Sequence, residues 1–114
     1  MAKCNRKHVK MTKAEIVDRY TILRLKSEHG LDVKKELRAL SDEVDNVPDT
    51  FIERLYSVNA QMWEIEDMAE LGGEGLEDMG RLFHKQRELN KTRVKIKNEI
   101  ARHFKEVEEQ KLFV

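Results

Sequence analysis

The chain has 114 residues, enough for one domain with a modest core, and its apolar and charged fractions are equal at 39% each. With a single proline, that balance fits long, solvent-exposed helices better than a sheet protein. No apolar run approaches a membrane span, and the N-terminus lacks the apolar stretch of a signal peptide, so a cytoplasmic location without membrane contact is expected.

The formal net charge of zero hides a segregated pattern. Residues 1–13 carry Lys3, Arg6, Lys7, Lys10 and Lys13 and no acid. Residues 41–80 carry twelve acids against Arg54 alone, and residues 81–105 carry nine bases against Glu88 and Glu99. An acidic helix followed by a basic one predicts two arms that attract each other. A basic face for nucleic acid is the sharper alternative, but no stacking aromatics interleave the basic residues, so nucleic acid is not the expected partner. Cys4 has no internal partner, which suits a reducing compartment.

A basic tail over 1–12 precedes the first helix. Thr12 and Glu15 form a capping-box pattern that opens that helix through Ile16, Val17, Tyr20, Leu23 and Leu25. Gly30 reads as its stop. Asp32 is positioned to cap a second helix with a narrow stripe of Val33, Leu37, Leu40 and Val44. Pro48 marks a break, and Asp49 or Thr50 starts a third helix along Phe51, Leu55, Val58, Met62, Ile65 and Ala69. Gly72, Gly73 and Gly75 predict a turn; they lack the strand context and the following Lys-Ser/Thr of a phosphate loop. A fourth helix of roughly 30 residues would run about 45 Å. Its stripe is Met79, Leu82, Phe83, Leu89, Ile96, Ile100, Phe104 and Val107, and Gly80 is a point where it would fray. An apolar tail at 111–114 closes the chain. The expected fold is an all-α helical bundle over residues 13–110, built around a long antiparallel hairpin of the third and fourth helices. Oligomerisation is expected, because the fourth helix exceeds its intrachain partners.

Polar residues enter these stripes. Gln86, Asn90, Arg93 and Lys97 lie on or beside the stripe of the fourth helix, with Asn90, Arg93 and Lys97 on one face. Asn59, Trp63, Glu66 and Asp67 do the same on the third helix, and Asp18 and Lys26 on the first. Polar groups entering a core must be paired or must bind something. If the faces converge, Asp18, Glu66 and Asp67 balance Lys26, Arg93 and Lys97. That inventory suits a buried network that fixes helix register. It also suits a pocket for a small anionic ligand: Arg93 as a planar clamp, Lys26 and Lys97 as charge, Asn59 and Asn90 as amide donors, Trp63 as a stacking surface.

Catalytic patterns are weak. Glu66 and Glu70 lie one turn apart and would suit a shared magnesium ion, and Glu64 with Asp67 loosely matches half of the carboxylate motif of all-helical nucleotide pyrophosphatases. The second half of that motif is missing. Glu99 and His103 have metal-ligand spacing, but a surface ion pair explains them as well. No cofactor or metal is expected.

Ile16-Val17-Asp18-Arg19-Tyr20-Thr21-Ile22-Leu23-Arg24-Leu25-Lys26 resembles the opening of an uncharacterised helical family of bacteria and tailed phages, whose pattern is roughly I-[VL]-D-[KR]-x-[ST]-I-L-x-[IL]-K. The likeness continues in Val58-Asn59 with Trp63, Ile65, Glu66 and Asp67, and in Asn90, Arg93, Lys97 and Ile100. It covers most of residues 14–102. The resemblance implies the helical fold and the polar seam, and it supplies no reaction. The expected function is non-catalytic binding of a nucleotide-like anion, in a phage setting the sequestration of a host defence signal. The alternatives are a structural or protein-interaction module and a magnesium-dependent nucleotide hydrolase.

Overall fold

The computed structural model describes residues 11–71 and 76–105. The expectations for residues 1–10, the glycine turn, Val107 and the apolar tail lie outside the described residues. Those described form four α-helices and one short 3-10 turn: α1 (Lys13–Glu28), α2 (Lys34–Ser41), the 3-10 turn (Asp42–Val44), α3 (Asp49–Leu71) and α4 (Leu76–His103). Among them there is no strand, and no helix is long and apolar enough to cross a membrane.

The start and stop of α1 follow from its local sequence. The Thr12 hydroxyl accepts from the Glu15 amide at 3.2 Å, and the Glu15 carboxylate accepts from the Thr12 amide at 3.2 Å. This reciprocal box satisfies two N–H groups that a helix start would leave orphaned. At the other end Gly30 takes φ +91°, its amide donating to Ser27 and that of Leu31 to Lys26. These two crossed bonds form a Schellman stop, which needs a residue that tolerates positive φ.

Helix α1 is the central element. Ala14, Ile16, Val17, Asp18, Thr21, Leu23 and Leu25 are all buried, and residues on so many sides are covered only if neighbours surround the helix. It packs against α2, the 3-10 turn, α3 and α4. Val17, Leu55, Ile96 and Ile100 meet in the core. Each fully buried side chain of this kind contributes about 1.5–3 kcal/mol by leaving water.

Arg54, near the start of α3, bonds Glu99, near the end of α4, at 2.8 and 3.0 Å. Glu66, toward the end of α3, takes a bond from Gln86 in the first half of α4. These contacts bring the acidic and the basic helix together.

Four sequence expectations change. The N-cap of α2 is Val33, without a side-chain bond, so Asp32 does not cap it. Helix α2 buries none of its residues despite its clean stripe, because it touches only α1 and the 3-10 turn. Helix α4 runs through Gly80 without interruption. Phe83, assigned to the core stripe, is 65% exposed. It lies on α4 ahead of Arg93 and Lys97, where α1 meets that helix.

Candidate functional site

Asp18 is the hub of the polar seam. It sits on α1 one turn before Thr21, and both are buried. Arg93 reaches it from α4, with Nε donating to Oδ1 at 3.0 Å and Nη2 to Oδ2 at 2.5 Å. Asn59 reaches it from α3, its amide nitrogen donating to Asp18 Oδ1 at 3.0 Å and to Thr21 Oγ1 at 2.9 Å. The Thr21 hydroxyl in turn donates to the Asp18 backbone carbonyl at 2.8 Å. Asn90 holds Arg93 from behind, accepting from Nη1 at 3.1 Å. The network ties three helices through side chains, and its two-point Arg–carboxylate bond fixes direction as well as distance.

The electrostatics match. Burial pushes the Asp18 carboxyl upward. The hydrogen bonds from Arg93 and Asn59, together with the charges of Arg93 and Lys97, outweigh that push and hold it below its ordinary value. Lys97 is itself buried, 9% exposed, on the α4 face that meets α1.

Two cavities flank this hub. The larger, about 580 Å³, follows α1 and is lined by Met11, Glu15, Asp18, Arg19, Ile22, Leu23, Lys26 and Lys97. The smaller, about 290 Å³, opens between α1, α3 and α4 beside Ile22, Leu25, Lys26, Asn59, Met62, Trp63, Glu66 and Arg93. Lys26 and Ile22 line both. The smaller cavity lies near the lower end of the 300–1,000 Å³ typical of ligand pockets, and the larger well within it.

Trp63 is half-buried at the rim of the smaller cavity. The His29 ring stacks on it with centroids 4.4 Å apart and planes at 25°. His29 is positioned by its ring Nδ1, 2.7 Å from the Leu25 carbonyl.

Seven of the nine residues expected at the site line one or both cavities: Asp18, Lys26, Asn59, Trp63, Glu66, Arg93 and Lys97. Asn90 stands behind them as the support of Arg93. Asp67 is exposed and lines neither of these cavities. Glu66 is exposed as a whole, yet its carboxylate takes the Gln86 amide at 3.4 Å. Arg93 pairs with Asp18, one of the three acids that the charge inventory left open. Two residues of the site, Thr21 and His29, escaped sequence reasoning. Thr21 lies three residues after Asp18, and that spacing was a usable signal. His29 carried none. Arg19 stands beside the polar face of Asp18 and Lys26, where its position in the sequence puts it.

The other carboxylates do not assemble. Among the described residues no group of three or more His, Cys, Asp or Glu side chains is placed to hold a metal ion. Glu99, one half of the possible metal pair with His103, is taken by Arg54, whose hydrogen bond holds its carboxyl below the ordinary range.

No family model, no curated protein and no solved structure matches this chain.

Proposed function

We propose that the chain binds a small, flat anionic ligand of nucleotide type without catalysis, in the groove between α1 and the α3–α4 pair. In this reading α3 and α4 run as an antiparallel hairpin and α1 closes one side of the groove. The single observation that carries the reading is the placement of Lys26 on the wall shared by the two cavities, with Trp63 across the smaller one. A flat group would lie against Trp63, and its acidic end would reach Lys26. Asn59, Arg93 and Asp18 form the rigid back wall rather than the clamp, because Arg93 already spends its fork on Asp18. Prebuilt walls of this kind favour binding, since no groups must be ordered when the ligand arrives.

The test is a panel of nucleoside mono-, di- and triphosphates and their cyclic forms, scored by native mass spectrometry and by thermal stabilisation. The expected result is stoichiometric binding that Lys26→Ala weakens at least tenfold without lowering the melting temperature. No stabilisation by any member of the panel at millimolar concentration would overturn the reading.

The register-device alternative is favoured by one observation. Asp18 is fully engaged by Arg93 and Asn59, as a purely structural network requires. If the panel fails while Arg93→Ala unfolds the chain, that alternative stands. Homo-oligomerisation belongs to the same proposal, supported by the 65% exposure of Phe83 on a long helix. Light scattering that returns the mass of one chain would count against it.

A further inference from the structure

We infer that the ligand of this groove has two flat groups joined by a phosphodiester, as in a dinucleotide, with the phosphate over Lys26 and one flat group in each cavity. The inference rests on the anion-binding reading of the groove and adds the class of ligand. It starts from the ridge between the two cavities. Ile22 and Lys26, one turn apart on α1, line both, so an occupant of one cavity meets an occupant of the other along these two side chains. The smaller cavity, about 290 Å³, holds Trp63 and sits at the lower end of the volumes that ligands fill. The larger, about 580 Å³, is left over by a single flat group whose acidic end stops at Lys26.

The residues of α1 give the larger cavity an order. Glu15, Arg19, Ile22 and Lys26 follow one another at helical spacing and form a single stripe. From Lys26 the stripe reaches Arg19 after about 10 Å and Glu15 after about 16 Å. Among the described residues, neither the Lys26 nor the Arg19 side chain has a hydrogen-bond or ion-pair partner. Lys97 also lines this wall, but its charge supports the Asp18 carboxylate. Ile22 and Leu23 supply apolar surface between Lys26 and Arg19.

That order selects among nucleotides. A nucleoside triphosphate would carry its negative tail past Arg19 to Glu15, whose carboxylate opposes it. A phosphodiester puts its charge at Lys26 and continues as a neutral nucleoside. The second base then lies on Ile22 and Leu23, with the planar Arg19 guanidinium against its face. The Glu15 carboxylate stands at the far end, where it can accept from an amino group on the edge of a base. Trp63 stacks the first base in the smaller cavity. Both cations and the acid of the stripe thus meet groups that they attract.

The experiment compares adenosine monophosphate, adenosine triphosphate and the phosphodiester-linked dinucleotide of adenosine, with the guanosine members alongside, by isothermal calorimetry on the full chain. For at least one base the dinucleotide should bind about tenfold or more tighter than the mono- and the triphosphate. Arg19 is exposed, so Arg19→Ala leaves the core untouched. That variant should bring the dinucleotide down to the affinity of the monophosphate and leave the monophosphate where it is, while Lys26→Ala should weaken them all. Two results would overturn the inference and spare the groove: dinucleotides of both bases that bind no tighter than their monophosphates, or an advantage that Arg19→Ala leaves intact. If no nucleotide of any kind binds, the groove reading itself fails and takes the inference with it.

Discussion

Arg93 grips Asp18 with two nitrogens across 75 residues of sequence, and the carboxylate it holds is buried on the central helix. Removing either partner leaves the other charge without its counterpart in a place poor in water. Arg93→Ala should therefore destabilise the chain by about 3–5 kcal/mol, the cost typical of breaking a buried pair. Arg93 is a quarter exposed at its side chain, which favours the lower end of that range. Arg93→Lys keeps the charge and loses the fork, so it should recover only part of the loss. Urea denaturation of the three proteins checks this. A loss under about 1 kcal/mol for Arg93→Ala would mean that the pair behaves like a surface bridge.

Acid should act through the same carboxylate. The folded-state pKa of Asp18 is depressed below its ordinary value of 3.8, so its contribution to stability is present above 3.8 and is lost as pH falls through the lower folded value. Wild type should exceed Asp18→Asn in stability at neutral pH, and the difference should narrow as pH falls below 3.8. Paired melting curves across that window measure it. A gap that stays constant from neutral to acid would contradict the assigned ionisation.

The Arg54–Glu99 bond has better geometry than many ion pairs, yet it is exposed. Its carboxyl is held low mainly by the Arg54 hydrogen bond, but solvent screens the pair. A double-mutant cycle should return a coupling under about 1 kcal/mol that shrinks in high salt.

Gly30 has nothing within 4 Å of the place a Cβ would take, so only the backbone objects to a side chain there. Gly30→Ala should cost about 1–2 kcal/mol through its positive φ alone. Gly80 is helical and equally open, so Gly80→Ala should instead stabilise by up to about 1 kcal/mol. Thermal denaturation of the two variants, compared side by side, separates them by sign.

Local features of this fold were legible and distant ones were not. The capping box at Thr12 and the stop at Gly30 depend on residues within one turn of each other, so spacing alone revealed them. Periodicity also placed Asp18, Asn59 and Arg93 on inward faces. It did not pair them, since three acids and three bases combine in several ways and the pairing is decided by how α1 crosses α3 and α4. Phe83 and the stripe of α2 failed for a related reason. Periodicity reports the angle of a side chain about its own helix, whereas burial depends on whether another element lies opposite. For Leu37 and Leu40 only α1 and the 3-10 turn lie nearby, and they leave both half-covered. His29 caps the end of α1, and its stacking on Trp63 of α3 is a contact that no single-helix pattern reveals.

The chain contains a single tryptophan, and it stands at the rim of the proposed ligand groove. Its fluorescence therefore reports the groove alone. Titration of nucleotides into the full chain should change the Trp63 emission along a saturable curve, and Lys26→Ala should shift that curve to at least tenfold higher concentration while the unliganded spectrum stays the same. Emission that is unmoved at saturating nucleotide, or a curve that Lys26→Ala leaves in place, would contradict the assignment of this groove as an anion-binding site.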